Sequence, residues 1–314
     1  MKTATANLAS SGLGIRKYQS GVALLQVLLL STIITVLAIG FTKTAREQIR
    51  MAEAIEGRVL GQLRTDSILN EIVFSQLAYQ VYPQATIGDS DLGAFIERKK
   101  SLNFFGKPIL WGSDSVVRIQ DLNGLLPQTY PQHFAWTKLL PRLGLTESET
   151  VEYLGVWKDV QDPDLRSWVP GVREPFALPS GMPYINGFSQ SDQVLRSVLD
   201  GKPDIAGKIL DFSSIYSPYK MNFLNAPKPL LIELLGESLG ASLSDSRESG
   251  ADEAVLTSML PPGFLAEVES VGSYKSTYQR IDISHTSSDA GWSKSVTIHI
   301  SPSSTTPFSI LSNN

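Results

Sequence analysis

Residues 22–41 read VALLQVLLLSTIITVLAIGF, twenty consecutive residues without a charged side chain. At about 1.5 Å of rise per residue, a helix of this length measures roughly 30 Å, which matches the hydrocarbon core of a bilayer. Apolar helices buried in soluble proteins are usually shorter. The stretch therefore predicts a helix that spans a membrane.

Charge is distributed unevenly around this run. Residues 1–41 contain three basic and no acidic side chains, whereas the rest of the chain carries 24 basic and 31 acidic ones. A basic, apolar N-terminus ahead of an acidic body suits a membrane-tethered protein and argues against a nucleic-acid partner. The sequence has no cysteine, which excludes disulfides, thiolate metal sites and cysteine nucleophiles.

Three kinds of segment can occupy this position. The first is a secretory signal peptide cleaved near Gly40, although the apolar run exceeds the usual span of about 7–15 residues. The second is a simple single-pass anchor, whose orientation the charges leave open because basic residues flank both ends. The third interpretation depends on the preceding residues, RKYQSG at 16–21, which end in Gly21 directly before Val22.

Those residues resemble a class III, or prepilin-type, signal. In that family a prepilin peptidase cuts after the glycine on the cytoplasmic side and leaves the apolar helix in the protein, with a new amino terminus open to methylation. Glycine suits the site because its bare backbone can lie extended in a protease cleft. The resemblance implies a leader at residues 1–21 and processing between Gly21 and Val22.

Gln26 stands at the fifth position of the helix that such processing would leave. Typical pilins carry glutamate there, and the resemblance implies a counter-ion for the amino terminus of a neighbouring subunit. An amide can form hydrogen bonds but cannot neutralise an ammonium ion in a low-dielectric bundle. We interpret Gln26 as the filament contact of a subunit with no partner ahead of it, as at a tip. The alternative is one tolerated polar residue in a membrane helix.

The helical pattern continues beyond the apolar run. No proline occurs from residue 45 to 79, and the pattern predicts a helix of roughly 55–60 residues, about 85 Å long. A coiled-coil adaptor is the alternative, but sustained heptads are lacking. The apolar stripe consists of Ile49, Ala52, Ile55, Val59, Leu63, Leu69, Ile72, Val73 and Leu77.

Strand signals flank a long helical block. Strands are predicted at residues 108–111, 116–120, 266–271, 276–284, 294–301 and 308–311. In the block, Thr146 and Glu149 form a capping-box pattern, Ser191 precedes one helix, and another helix ends at Gly236. The Gly/Ser-rich residues 236–250 predict a loop. A sheet divided by helices indicates an α+β head with an inserted all-α domain.

This order resembles the K-type minor pseudopilin family (general secretion pathway protein K) of type II secretion systems. Similar local stretches occur in order at residues 117–124, 157–162, 183–187, 193–196 and 221–227. The match has departures, because Pro127-Gln128 and Leu224 stand where the family has asparagines, and the acidic segment is thinned.

The resemblance implies an α+β, pilin-like fold in which a long N-terminal transmembrane helix packs on a small antiparallel sheet that carries a large all-α insertion. The implied segments are a leader at 1–21, a transmembrane half-helix at 22–41, the rest of the helix with the first strands at 42–128, the insertion at 129–260 and the C-terminal strands at 261–314.

The implied function is structural and not enzymatic. The family's subunit sits in the bacterial inner membrane with its head in the periplasm, and it caps or initiates a pseudopilus that exports proteins across the outer membrane. The implied partners are I- and J-type minor pseudopilins, the major pseudopilin and the prepilin peptidase. The alternatives are a minor pilin of a type IV pilus or competence system, and a periplasmic binding domain or enzyme on a simple anchor.

Catalytic signatures are absent from the sequence: it has no HExxH, no Gly-x-Ser-x-Gly and no phosphate-binding Gly-Lys-Ser/Thr loop. No cofactor is required. One acidic segment suits Ca²⁺, because Asp159, Asp162 and Asp164 place three hard oxygen ligands within six residues. The resemblance also implies calcium in the head. Glu174 is a candidate further ligand if the chain reverses after this segment. The alternative is a solvated acidic turn.

Overall fold

The computed structural model describes residues 19–81, 102–164, 166–168, 177–178, 180–217, 220–265, 276–286 and 291–313. The chain forms two compact units, Met1–Leu60 and Gly61–Asn314. The boundary falls inside the first helix, α1 (Gln19–Val81), so the two parts of α1 belong to different units.

In the first unit, α1 has no charged residue before Lys43, and every side chain from residue 22 to 60 is exposed. The hydroxyl groups of Ser31, Thr32 and Thr35 donate hydrogen bonds to backbone carbonyls of the preceding turn. Such bonds satisfy the polar side chains of an apolar helix without water. The helix predicted for these residues is confirmed.

The second unit is built on a five-stranded antiparallel sheet with the spatial order β1-β2-β5-β6-β7. A separate parallel pair joins β3 to β4. The strands are β1 (Ile109–Trp111), β2 (Ser115–Asp121), β3 (Leu126–Pro127), β4 (Ser213–Ser214), β5 (Tyr278–Thr286), β6 (Gly291–Ile300) and β7 (Phe308–Asn313). The strand predicted at residues 266–271 lies outside the described residues.

The part of α1 after Leu60 packs on one face of this sheet. Its apolar residues meet alternate residues of the strands, because side chains along a strand alternate between the two faces. The buried set is Ile68, Leu69, Ile72 and Val73 of α1 with Val117, Ile119, Ile281, Ile283, Val296 and Ile298 of the sheet. Each fully buried aliphatic side chain contributes about 1.5–3 kcal/mol, so this face is the main stabilising contact of the sheet.

Polar contacts fix the register of α1 on the sheet. The side-chain amides of Gln76 and Gln279 exchange two hydrogen bonds, each 3.0 Å long, inside the buried interface. At the opposite end of the contact, Lys294 Nζ lies 2.6 Å from Asp66 Oδ1. Burying a polar group is costly unless it finds a partner, so these pairs select one alignment of helix and strands.

The remaining helices lie between β2 and β5 in the chain and form their own hydrophobic core. In that core the rings of Trp136 and Trp157 meet edge to face, with centroids 4.8 Å apart. The predicted α+β class, with a long helix, an antiparallel sheet and a helical block between its strands, is confirmed. The segment limits at 129 and 260 stay a prediction. The helices are α2 (Phe134–Arg142), α3 (Glu147–Gln161), α4 (Asp192–Val198), α5 (Pro203–Phe212), α6 (Lys228–Leu235), α7 (Glu237–Glu248) and α8 (Glu253–Ser258).

The helix ends follow the predicted signals. Thr146 and Glu149 form a reciprocal capping box at the start of α3. Ser191 accepts a hydrogen bond from the backbone of Gln193 and so caps α4. Gly236, with a φ of 91°, ends α6 in a backbone conformation that favours glycine.

The loop predicted at residues 236–250 is wrong, because most of this segment forms α7. A Cβ on Gly240 would lie 2.6 Å from the Cα and backbone N of Ile232 in α6. Glycine at this position therefore lets α7 approach the backbone of α6 closely, and Leu243 is buried one turn further on. The small residues here serve helix packing and do not mark a flexible connection.

Candidate functional site

The first part of α1 exposes an unusually large apolar surface. Its large apolar residues between positions 22 and 60 are between 48% and 80% exposed, from Ile33 at the lower end to Phe41 at the upper. Among the described residues, α1 is the helix long and apolar enough to cross a membrane, and none of its most apolar stretch is buried. A contiguous apolar surface of this size marks a membrane or protein contact. This helix is a candidate single membrane span.

The apolar stripe beyond residue 41 divides into two parts. Ile49, Ile55 and Val59 are about half exposed or more in the first unit, whereas Ile72 and Val73 are buried in the second. The stripe therefore packs on the sheet only in its later part. The only ion pair in the described part of the first unit joins Lys43 to Glu47 at 4.0 Å, and an exposed pair of this kind contributes little.

The predicted processing and filament residues lie in the exposed part of α1. Gly21 belongs to the helix, and the side chains of Val22 and Gln26 are exposed. Residues 1–18 of the predicted leader lie outside the described residues. Cleavage after Gly21 and the role of Gln26 in a filament stay predictions.

The three aspartates of the candidate metal segment each hold a nearby turn. The buried carboxylate of Asp159 accepts hydrogen bonds from Ser167 Oγ and from the backbone N–H of Trp168, both at 2.7 Å. Asp162 Oδ2 accepts from the indole N–H of Trp168 at 2.9 Å. Asp164 Oδ1 accepts from the backbone N–H of Arg166 at 2.7 Å.

These four hydrogen bonds use only part of the acceptor capacity of the three carboxylates. No cluster of three acidic or histidine side chains with metal-binding geometry occurs in the described ranges, and Glu174 lies outside them. Asp162 Oδ1 is buried and has no hydrogen-bond partner among the described residues. The pKa of the neighbouring Lys158 ammonium is lowered by burial, and this group lies 4.1 Å from the Trp168 ring centroid. Calcium binding stays a prediction.

Asp121 is a polar junction between the sheet and the helical block. Its fully buried carboxylate accepts hydrogen bonds from Ser276 Oγ at 2.6 Å, from Asn225 Nδ2 at 2.6 Å and from the backbone N–H of Asn123 at 3.0 Å. Burial raises the pKa of Asp121, and these donors offset only part of that effect. The carboxylate thus joins the end of β2, the approach to β5 and a turn of the helical block.

Gly124 brings the same two segments into backbone contact. A Cβ at this position would lie 2.1 Å from the backbone oxygen of Asn225, so no other residue fits without moving the chain. The stretches at residues 117–124 and 221–227, which are far apart in sequence, therefore meet around one buried carboxylate. Their combination of aspartate, asparagine and glycine is explained by this junction.

Comparisons with known proteins give a likeness in structure and none in sequence. No protein-family model matches the chain, and no curated protein matches it in sequence. One structural neighbour is a chain in the crystal structure of the GspK-GspI-GspJ complex from the type 2 secretion system of enterotoxigenic Escherichia coli; it is 13% identical, with a TM-score of 0.47. The alignment covers 81% of this chain and 98% of that one. A likeness with this identity and TM-score carries no functional argument. The argument for function rests on the chain's own residues.

Among the described residues, the histidines do not assemble a hydrolase triad. His285 Nδ1 lies 3.2 Å from Ser115 Oγ and 3.5 Å from Asp114 Oδ2, so both contacts meet the same ring nitrogen. A Ser-His-Asp relay needs one partner at each nitrogen, and Ser115 is only 2% exposed. The other two have structural contacts: His133 caps α2, and His299 stacks on a tyrosine ring.

Proposed function

We propose that this protein is a pilin-like structural subunit, a minor pseudopilin of a type II secretion system, held in the inner membrane by residues 22–41. Its head lies in the periplasm, where it caps or initiates a short pseudopilus with I- and J-type minor pseudopilins and the major pseudopilin. A prepilin peptidase processes it, and it performs no catalysis.

The division of α1 carries this proposal. One helix exposes apolar side chains along residues 22–60 and then buries its apolar stripe against an antiparallel sheet. A signal peptide or a simple anchor does not need a helix that continues unbroken into the folded head. A subunit that packs its helix beside the helices of other subunits does need one. The sequence before Val22 and the helical block between the strands support the same proposal.

Processing is tested by replacing Gly21 with leucine in the native host. We expect an uncut precursor and loss of secretion, because a side chain at this position blocks the extended backbone from the protease. The matched control is Gly40→Leu, since Gly40 lies in the same helix with no atom within 4 Å of a Cβ placed there. Mass spectrometry of the purified protein should identify Val22 as its first residue.

The same pair of variants separates the alternatives. A mature chain that begins after residue 40, with processing blocked by Gly40→Leu, would instead indicate a secreted protein. Normal processing and secretion in the Gly21→Leu variant would contradict the proposal. A mature chain that still begins at Met1 would indicate a simple anchor, and co-purification with type IV pilins would place the subunit in that system.

The tip position is tested at Gln26. If no subunit lies ahead of this one, no amino terminus needs a charged acceptor here, so Gln26→Ala should retain at least half of wild-type secretion. The control is Ser31→Ala, which removes a hydroxyl bonded only within α1. A collapse of secretion in Gln26→Ala alone would show that the amide makes an essential filament contact.

Calcium binding is tested separately by calorimetric titration of the full-length protein. The suitable variant is Asp162→Asn, because Asp159 anchors its loop through two hydrogen bonds and its loss would disturb the fold. We expect the heat of binding to disappear in Asp162→Asn. An unchanged titration, or no heat in the wild type, would reject the site without affecting the structural role.

A further inference from the structure

The sheet carries a row of polar side chains on the face turned away from α1. Arg280 of β5 pairs with Thr297 of β6, and Thr297 pairs with Ser312 of β7, so the three residues lie side by side. Their neighbours in sequence, Ile281 and Ile298, pack on α1, and side chains alternate between the two faces of a strand. We call Arg280, Thr297 and Ser312 the polar row. Thr297 is only 8% exposed, so this second face of the sheet is also covered.

A cavity of about 370 Å³ lies between the polar row and the helical block. The block contributes Asp192 at the start of α4, Ser214 of β4 and Tyr216 just after it, together with apolar side chains such as Leu210. The volume falls within the range of about 300–1,000 Å³ that is usual for small-molecule sites. The sheet and the helical block therefore form the walls of one cavity of ligand size.

The polar groups of the sheet wall are not used up by contacts within the described part of the chain. Arg280 Nε is buried without a hydrogen-bond partner there, although Asp282 Oδ2 lies 3.4 Å away. The hydroxyl groups of Thr297 and Ser312 form no hydrogen bond with any described residue. A buried donor that stays unpaired is costly, so this wall is suited to binding a polar ligand.

The opposite wall is held in place by contacts of its own. Asp192 Oδ1 accepts a hydrogen bond of 3.0 Å from Nε2 of Gln128, a side chain that is only 1% exposed. Ser214 Oγ accepts one of 3.1 Å from the backbone N–H of Tyr216. The Tyr216 ring stacks on Tyr278, with centroids 5.9 Å apart and planes 16° from parallel. Groups fixed in this way lose little conformational entropy when a ligand binds.

Charge and hydrogen-bonding type indicate the class of ligand. The single guanidinium of Arg280 is outnumbered by the carboxylates of Asp192 and Asp282, which disfavours an anion. The guanidinium only donates, a carboxylate only accepts, and the hydroxyls of the walls do both. A neutral saccharide matches this set, because each of its hydroxyl groups also donates and accepts. Its rings have apolar C–H faces as well, for which the Tyr216 ring offers a flat contact surface.

We propose that this cavity binds a neutral saccharide. The polar row donates to sugar hydroxyls from the sheet side, Asp192 accepts from them on the side of the helical block, and Tyr216 contacts the apolar face of a sugar ring. This binding activity goes beyond the structural role proposed above and does not depend on it, because every group involved belongs to the second unit.

Saturation-transfer difference NMR tests the site, because it detects the weak binding that is usual for neutral sugars. Full-length protein in lipid nanodiscs, prepared without sugar-based detergents, is titrated with cellobiose and with N,N′-diacetylchitobiose. The double variant Thr297→Val/Ser312→Ala removes two hydroxyl groups with little change in shape, and Arg280→Gln removes the guanidinium. The matched control is Arg118→Gln, which removes an exposed guanidinium from the neighbouring strand β2, outside the cavity.

We expect saturation transfer to the ring protons of at least one disaccharide in the wild type. The tighter binder of the two identifies the class of glycan, plain or N-acetylated. The double variant and Arg280→Gln should each raise Kd by at least about tenfold, because each removes hydrogen bonds to the sugar. Arg118→Gln should change Kd by less than about twofold. Thermal unfolding followed by circular dichroism checks that each variant is folded.

Three results would overturn the proposal. The first is no saturation transfer from the wild type to either sugar. The second is an unchanged Kd in the folded double variant, which keeps the guanidinium and the shape of the wall. The third is displacement of the bound sugar by inorganic phosphate, which would make the cavity an anion site.

Discussion

The two parts of α1 have similar apolar spacing but opposite surroundings. Between residues 22 and 60 no side chain is buried, whereas Ile68, Leu69, Ile72 and Val73 are almost fully buried on the sheet. The later part finds its partner within the chain. The earlier part has no partner among the described residues, and an exposed apolar surface of this size is typical of a contact with a bilayer or another protein.

The comparison shows that a helical stripe identifies a face but not what covers it. Ile55 and Ile72 belong to the same predicted stripe, and nothing in the periodicity separates them. The sheet makes the difference between the two parts, because it covers α1 only after Leu60. Substitutions in the two parts should therefore differ in their effect on the stability of the head, and matched pairs along one helix measure that difference.

The largest difference is expected for removal of an isoleucine side chain. Ile72→Ala should lower the free energy of unfolding of the head by about 2–5 kcal/mol, because it leaves a cavity in the helix-sheet core. Ile55→Ala should change it by less than about 0.5 kcal/mol. Urea unfolding followed by tryptophan fluorescence reports on the head alone, since all five tryptophans lie after residue 100. Equal losses in both variants would contradict the division of α1.

Alanine substitutions of two helical glycines should have smaller effects on stability, and the two effects should differ in sign. A Cβ on Gly61 would lie 3.2 Å from Trp292 Cβ, so Gly61→Ala should destabilise the head by about 1 kcal/mol through overpacking. Gly57 has no atom within 4 Å of such a Cβ, so Gly57→Ala should be neutral or stabilising by up to about 1 kcal/mol through helix propensity. Melting temperatures by circular dichroism compare the two. If Gly61→Ala stabilised the head, the Trp292 side chain would have to move aside at little energetic cost.

The smallest difference concerns ion pairs. Asp66→Asn breaks a contact of 2.6 Å to Lys294, whose side chain is only 14% exposed, and should cost about 1 kcal/mol. Glu47→Gln breaks a pair of 4.0 Å between exposed groups and should cost less than about 0.3 kcal/mol. A double-mutant cycle with Lys294→Ala isolates the first interaction. A coupling energy near zero would mean that Asp66 and Lys294 do not stabilise the register of α1.

Features governed by neighbouring residues could be predicted from sequence. The capping box of Thr146 and Glu149 depends on residues three apart, and alternating strands depend on a period of two. The predicted strands at residues 116–120 and 276–284 accordingly differ from the observed β2 and β5 by only one or two residues at each end. Local backbone geometry fixes such features before the chain packs.

Features that depend on distant contacts could not be predicted. The loop expected at residues 236–250 is a helix because Gly240 meets the backbone of α6. Asp121 resembles an ordinary turn residue in sequence, but its donors Asn225 and Ser276 are 104 and 155 positions away. No pattern within a short window contains that information.

The sequence by itself determined that this chain contains an apolar helix of membrane length, continues that helix beyond the apolar run, and divides a sheet with helices. Only the tertiary structure decided where α1 stops being exposed and that the helical block is joined to the sheet through a buried aspartate. The reason is physical: hydrophobic periodicity and capping act over a few residues, whereas burial and strand pairing depend on segments that meet only after the chain has folded.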